Sequence, residues 1–239
     1  MSARDGFGKA PAPHGRGLGE APGTVILGRL PHVAGSDADQ SCYFLEPLLV
    51  NALDRAAKPV AAALIQSFGS LAAVLSAGTW RLAQVPGMTE AAARLLEAAH
   101  AAGRWAAEEQ IRERDLFDDP AAVHAYARAT MRCRPVEEAH GLFLDARNQL
   151  IRDQMLSRGI VDHTPLYPRE VARQAVLLEA SAVVLLHNHP SGDPTPSAAD
   201  IEITQRVGRA LAAVGVALHD HLVVGDTRIA SLRAMGHLQ

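Results

Sequence analysis

A short apolar run that ends in two histidines constrains the fold of this chain more than any other feature. Residues 182–186 read Ala-Val-Val-Leu-Leu, which is typical of a buried strand, and they lead directly into His187-Asn188-His189-Pro190. Because alternate residues of a strand point to the same face, His187 and His189 are predicted to project together at its carboxyl end. Pro190 has no N–H to donate to a β-ladder and ends the strand.

A helix is predicted to begin a short distance beyond these histidines. Residues 191–196 are turn formers and include two prolines, and Ser197 opens a pattern with helical spacing. Asp200 falls in the first turn, so the strand end, the loop and the helix start can bring His187, His189 and Asp200 around one point. Two imidazoles and a carboxylate suit a catalytic zinc, which keeps a fourth position for water. The spacing therefore predicts one Zn²⁺ per chain, held by these three side chains.

Each part of this pattern also has an interpretation without a metal. The chain has 11 histidines in 239 residues, and a second His-x-His occurs at His219-Asp220-His221. Ser197 followed by Asp200 is also the arrangement of a helix capping box. The metal prediction depends on all the parts occurring together on a strand, a loop and a helix.

The same residues resemble the JAMM, or MPN+, metallopeptidase signature, Glu…His-x-His-x7-Ser-x2-Asp. The wider pattern is similar to the RadC-like branch, from Pro168-Arg169-Glu170-Val171 through the histidine motif to Asp220-His221 and Val223-Val224-Gly225. The resemblance covers residues 118–239 closely and the preceding part more loosely. It implies an α/β (α+β) fold over 118–239, a JAMM/MPN-type mixed sheet with flanking helices.

The resemblance also implies roles for individual residues. It places the glutamate that activates the metal-bound water at Glu137. Glu138 remains the alternative, because a slip of one residue reverses the face of a strand. Ser197 would hydrogen-bond the developing oxyanion, and Asp220 and His221 would orient the site. The implied activity is zinc-dependent hydrolysis of a peptide or isopeptide bond in a peptide or protein substrate, although nitrogen and oxygen ligands alone do not select zinc among divalent ions.

The local patterns outside the motif agree with such a fold. They predict a helix from Pro120 to about Met131, strands over 137–145 and 149–157, a helix over 168–179 and further strands from 216. Strands that alternate with helices in this order indicate a mixed sheet with helices packed on it.

The residues before this region predict a small all-α domain over 39–115. Residues 80–92 resemble a helix-hairpin-helix, a DNA-phosphate-binding motif that RadC-like proteins carry before the JAMM domain. Thr89 stands at the second hairpin glycine, and residues 36–118 hold 7 basic and 11 acidic side chains. We therefore expect weak or no nucleic-acid binding. A DNA-repair-associated DNA-binding protein with a secondary metal site is the alternative function, and Trp80 and Trp105 are predicted to be core aromatics.

Composition bounds the remaining possibilities. Residues 1–38 are rich in Gly and Pro and predict a disordered tail. The two cysteines, Cys42 and Cys133, form no Cys-x-x-Cys pair, which favours a reducing cytoplasm. No apolar run reaches the length of a membrane span, and the net charge of -3 gives no general attraction to an anionic membrane. Neither the substrate nor the oligomeric state follows from the sequence.

Overall fold

The computed structural model describes residues 37–159 and 166–238, which lie in one compact unit. The disordered tail predicted over residues 1–38 therefore lies outside the described residues, apart from its last two. Those two, Asp37 and Ala38, are helical. The first helix thus begins slightly earlier than predicted. The predicted boundary between two domains, at residues 115–118, stays a prediction.

The amino-terminal part of the described chain is all helical. Its elements are α1 (Asp37–Leu53), a 3-10 turn (Asp54–Ala56), α2 (Ala57–Phe68), α3 (Leu71–Ser76), α4 (Gly78–Leu82) and α5 (Glu90–Arg112). The helices share one apolar core, in which Leu45, Leu49, Leu64 and Leu96 are fully buried. Burial of these aliphatic side chains is what holds short helices such as α3 and α4 in place, since helices of this length are marginal in water.

The turn between α4 and α5 coincides with the predicted hairpin. Gly87 adopts a φ of 83°, and a Cβ atom there would lie 2.9 Å from the Val60 side chain, so only glycine fits. Thr89 is the N-cap of α5, and its hydroxyl accepts a hydrogen bond from the Ala92 amide at 3.2 Å. The residue that replaces the second hairpin glycine thus starts the helix.

The prediction that both tryptophans are core residues is wrong. The exposed fractions of Trp80 and Trp105 are 76% and 59%. The buried face of α5 is occupied by smaller side chains such as Ala92 and Leu96, and Trp105 lies on its outer face. There its indole N–H donates to Glu109 at 2.8 Å, which gives the ring a polar partner at the surface.

The rest of the chain forms a five-stranded sheet with helices on both faces. The elements are α6 (Pro120–Met131), β1 (Glu138–Leu144), β2 (Leu150–Arg158), α7 (Pro168–Leu177), β3 (Ala182–Asn188), α8 (Ala198–Ala212), β4 (Ala217–Val224) and β5 (Ile229–Ser231). The strand order is β2-β1-β3-β4-β5, with β3 and β4 parallel and the other neighbours antiparallel. The predicted mixed α/β sheet with flanking helices is confirmed.

Each face of the sheet packs against its own set of helices. On one face Leu142, Val184 and Leu222 contact a cluster that includes Val123 of α6. On the other face apolar residues of β1 and β3 pack with α7 and α8, where Val207 is fully buried. Because the side chains of β3 alternate between these two cores, the residues at its carboxyl end are also divided between the two faces.

None of the helices in the described ranges is both long enough and apolar enough to cross a bilayer.

Candidate metal centre

Three predicted ligands converge where β3 meets the start of α8. His187 is the penultimate residue of β3, His189 follows the strand, and Asp200 lies in the first turn of α8. Within the described residues they are the one group of three His, Cys, Asp or Glu side chains whose donor atoms come together, all within 4.8 Å of one another. The structure thus brings together all three side chains, and His187 is 3% exposed.

Two of the three separations between donor atoms match those around a tetrahedral ion, and the third is shorter. The Nε2 atoms of His187 and His189 are 2.9 Å apart, and they lie 3.4 and 3.5 Å from the two carboxylate oxygens of Asp200. Ligands at 2.0–2.2 Å from a tetrahedral zinc are separated by about 3.3–3.6 Å, so these atoms need little movement to bind one. The residues can therefore hold a metal ion, and their donor chemistry suits zinc and other first-row divalent ions.

The Nδ1 atom of each histidine has its own partner, so Nε2 is the nitrogen that faces the cluster. Nδ1 of His189 lies 2.8 Å from the carbonyl oxygen of Asp193, which can only accept, so Nδ1 carries the proton. Nδ1 of His187 lies 2.8 Å from Nε2 of His221. A hydrogen bond on the distal nitrogen fixes the tautomer and the orientation of a metal-binding imidazole.

A chain of hydrogen bonds continues from His221 to α8. Nδ1 of His221 is 2.6 Å from Oγ1 of Thr204, and the Thr204 hydroxyl also contacts the carbonyl oxygen of Asp200. The chain thus runs from one potential metal ligand to the backbone of another. Sequence analysis missed Thr204, although its position one helical turn after Asp200 places both on the same side of α8.

The three residues of the cluster have pKa values that are shifted in different ways. Burial lowers the pKa of His187 to about 4, so this ring is neutral near pH 7. The pKa of His189 is raised, mainly by its hydrogen bond to Asp200. Burial alone would raise the pKa of Asp200, but hydrogen bonds from His189 and Ser197 hold it far below its ordinary value. A neutral imidazole beside a carboxylate is the state that a divalent cation requires.

Ser197 holds Asp200 in place at the start of α8. The two residues form a capping box, in which the Asp200 amide donates to the Ser197 hydroxyl at 3.1 Å and the Ser197 amide donates to the Asp200 carboxylate at 2.7 Å. The Ser197 hydroxyl also lies 2.7 Å from that carboxylate. Ser197 and Asp200 therefore form the predicted capping box, and Asp200 also lies beside the two histidines. The oxyanion role of Ser197 stays a prediction.

The two candidate glutamates have different surroundings. Ala139 pairs with His187 in the antiparallel register of β1 and β3, so Glu137 extends toward His189. Its charge contributes, as the smallest of several causes, to raising the pKa of His189. Glu138 is 3% exposed and forms a 2.6 Å ion pair with Arg134. Glu138 is thus engaged away from the ligands, while the general-base role of Glu137 stays a prediction.

Asn188 connects the histidine strand to the start of β1. Its Nδ2 donates to the Val136 carbonyl at 3.1 Å, and its Oδ1 accepts from the Glu138 amide at 2.9 Å. The carboxamide therefore brackets Glu137 on both sides along the backbone. Asn188 is 1% exposed, so water cannot substitute for either bond.

The second His-x-His motif does not form a second metal-binding cluster in the described residues; one of its histidines instead contacts His187. His221 contacts His187 as described above, whereas His219 lies 2.8 Å from Oδ1 of Asn148 on the β1–β2 turn. Asp220 accepts from the Ser231 hydroxyl and the Arg233 amide, at 2.6 and 3.0 Å, and so ties β4 to the segment that follows.

Comparison with known proteins places this site in a family. The model of the RadC-like JAB domain matches residues 117–237. The chain is 44% identical over 205 residues to a UPF0758 protein of Rhodobacter capsulatus, and the alignment covers 85% of this chain and 96% of that protein. A UPF0758 protein of Ruegeria pomeroyi is 43% identical over 205 residues, with 85% and 92% covered. These aligned lengths exceed the JAB domain, so the relatives share helical residues before it. The chain therefore belongs to the RadC-like JAB-domain family.

Proposed function

We propose that this chain is a zinc-dependent hydrolase of the JAMM type that cleaves a peptide or isopeptide bond. The observation that best supports the proposal is the convergence of Nε2 of His187, Nε2 of His189 and the Asp200 carboxylate, with separations of 2.9–3.5 Å. Three protein ligands with one further coordination position are characteristic of catalytic zinc, whereas structural zinc is enclosed by four.

The protein groups divide the work of hydrolysis between them. A zinc ion bound here would polarise the scissile carbonyl and lower the pKa of a water molecule toward neutrality. Glu137 accepts one proton from the attacking water and returns it to the departing amine nitrogen. The C–N bond breaks, a C–O bond forms, and the products are a carboxylic acid and an amine. The Ser197 hydroxyl, at the edge of the cluster, donates to the carbonyl oxygen as negative charge develops there.

DNA binding by the helical part is the second candidate function, and local contacts argue against it. The Arg94 guanidinium is paired with Glu90 at 2.7 Å, and the Arg81 guanidinium stacks 5.4 Å from the Phe68 ring centre. These two cations flank the hairpin and would be needed for phosphate contacts. We propose weak or no nucleic-acid binding, a peptide or protein as the substrate, and a reducing cytoplasmic setting, in which Cys42 and Cys133 form no disulfide.

Metal content tests the first half of the proposal. Mass spectrometry of the purified chain should detect about one zinc per chain, and His187→Ala and Asp200→Ala should each lose it. His219→Gln serves as the matched control, because this histidine lies on β4 outside the cluster and should leave the zinc content unchanged. A folded wild-type chain that takes up no zinc from added zinc would overturn the hydrolase proposal.

The catalytic half requires a variant that retains the metal. A peptide and isopeptide library analysed by mass spectrometry should reveal cleavage by the wild-type chain. Glu137→Gln should reduce the rate by about 10²–10⁴-fold while zinc content and melting temperature stay unchanged. Glu170→Gln, an exposed carboxylate on α7, is the control. Equal cleavage by wild type and Glu137→Gln would exclude Glu137 as the base.

A further inference from the structure

A groove separate from the metal cluster lies between α3, α5 and α6. Its volume is about 630 Å³, and its ten lining residues include four alanines, Leu75 and Ser76. The other four are His100, His124, Arg128 and Arg132, and no acidic side chain lines the groove. A concave site of this volume, with apolar walls and a few polar groups, is typical of a small-molecule site.

The basic side chains form a row along one wall of the groove. His124, Arg128 and Arg132 are spaced four residues apart at α6 and its C-cap, which places them on one face about 6 Å apart. His100 of α5 faces this row. The Ser76 hydroxyl donates to the Arg132 carbonyl at 3.3 Å and connects α3 to the same wall.

The two arginines of this row have no acidic partner in the part of the chain that the structure describes. In the described ranges 37–159 and 166–238, no carboxylate lies within ion-pair distance of Arg128 or Arg132, although Arg112 and Arg114 nearby are both paired. Nε of Arg132 is buried and has no hydrogen-bond partner. A buried donor without an acceptor is unfavourable and uncommon in native proteins, so a rotation of the Arg132 side chain that brings this N–H to an acceptor in the groove would be favourable.

Further cations strengthen the positive field around His100. Burial lowers the pKa of His100, and the charges of Arg134 and Arg104 lower it further. Arg134 is neutralised by Glu138, but Arg104 also has a buried Nε without a hydrogen-bond partner. The field at the groove is therefore positive, and an anion there would meet several donors and no acidic side chain of the lining.

We propose that this groove binds a small phosphate-bearing anion, with Arg128 and Arg132 as its direct ligands. A guanidinium group binds phosphate through two parallel hydrogen bonds. Two guanidinium groups suit an anion with more than one negative charge. A phosphate-bearing molecule supplies such a charge, whereas a single carboxylate does not. Nucleic acid is a poorer fit, because its affinity requires many phosphate contacts and the chain has 26 acidic against 23 basic residues. The proposal is independent of the hydrolase activity.

Calorimetric titration of the full chain with inorganic pyrophosphate tests this assignment. We expect one site per chain, and Arg128→Gln with Arg132→Gln should weaken its affinity by about tenfold or more. Arg94→Gln is the matched control, because this exposed arginine is already paired with Glu90, and it should leave the affinity unchanged. Arg128→Gln alone provides a second variant, since this side chain is exposed and its replacement should not disturb folding.

The remaining arms of the experiment distinguish the groove from other anion sites. Phosphate groups also bind divalent metals, so His187→Ala must retain the affinity for pyrophosphate, and its loss would place the anion at the metal cluster. Absence of binding up to about 1 mM, or equal affinity for sulfate, would overturn the proposal. So would a single-stranded oligonucleotide that binds through the same arginines more tightly than pyrophosphate.

Discussion

Nδ1 of His187 lies 2.8 Å from Nε2 of His221, and the two rings are both almost completely buried. Burial lowers the pKa of both histidines, so neither ring carries a charge near pH 7. If Nε2 of His187 binds a metal, its proton resides on Nδ1 and is donated to His221. The proton of His221 then resides on Nδ1 and is donated to Thr204, whose hydroxyl donates to the Asp200 carbonyl.

The direction of these bonds predicts that His221 controls metal affinity without binding the metal. His221→Gln and Thr204→Val each interrupt the chain and should weaken the affinity for zinc by about 10- to 100-fold. Competition with a chromophoric chelator measures this directly and requires no substrate. His219→Gln, two residues away on β4, is the control and should leave the affinity unchanged. An unchanged affinity in His221→Gln would mean that the chain does not orient His187.

The two hydrogen bonds that Asn188 forms with the residues on either side of Glu137 predict that removing its carboxamide lowers stability but leaves the metal site intact. Asn188→Ala leaves the Val136 carbonyl and the Glu138 amide without partners in a buried place, which should lower the free energy of unfolding by about 1–3 kcal/mol. Urea denaturation measures the change. Asn51→Ala on the exposed side of α1 should have almost no effect. If Asn188→Ala also abolished zinc binding, the carboxamide would be supporting the histidines themselves.

Local periodicity was enough to predict which three side chains converge at the candidate metal site. His187 and His189 share a face because strands repeat every two residues, and Asp200 is placed by the capping geometry of α8. The contact between His187 and His221 depends on the register of β3 against β4, in which Leu185 pairs with His221. Such long-range pairing leaves no mark in local sequence, so the role of His221 came only from the family resemblance.

The errors had a similar physical origin. Trp80 and Trp105 were predicted to be buried from residue type alone, but which face of a helix is covered depends on its neighbours. The contact of His140 with Asp153 was likewise not predicted, because it depends on how β2 meets β1. Tertiary contacts determine such pairs, whereas spacing determines only the side chains on one element.

The buried contact between His140 and Asp153 predicts that stability falls in alkaline solution. Burial opposes protonation of His140, but its hydrogen bond to Asp153 and the nearby carboxylate of Glu138 raise its pKa above the ordinary 6.5. A raised pKa in the folded state adds stability that is complete below pH 6.5 and is lost as pH rises through the folded value. Urea denaturation midpoints should therefore fall between about pH 6 and pH 9 more steeply in the wild type than in His140→Gln.

A comparison with a second histidine variant isolates this effect from other titrating groups. His187 and His221 have lowered pKa values and act in the opposite sense, since they gain stability as pH rises toward 6.5. Both remain in His140→Gln, so the difference between its pH profile and that of the wild type belongs to the His140 contacts. His237→Gln, outside the cluster, should reproduce the wild-type profile. Parallel profiles for wild type and His140→Gln would contradict the prediction.

The conformation of Gly192 predicts that the loop after His189 affects zinc affinity. Gly192 has a φ of 82°, and a Cβ atom there would lie 2.8 Å from Cγ of Asp226, whose amide donates to the Gly192 carbonyl. Gly192→Ala should therefore cost about 1–3 kcal/mol of unfolding free energy and displace the Asp193 carbonyl that orients His189. Zinc affinity should fall as a consequence.

Gly215→Ala separates the two causes of this loss. Gly215 has a similar φ of 77° but nothing within 4 Å of its Cβ position, so this variant carries the backbone strain without a collision. Both variants should be destabilised in urea, Gly192→Ala the more strongly, and only Gly192→Ala should bind zinc more weakly in chelator competition. Equal zinc affinity in the two variants would show that the loop can move without disturbing His189, because the Asp193 carbonyl would then not be needed to hold the ring.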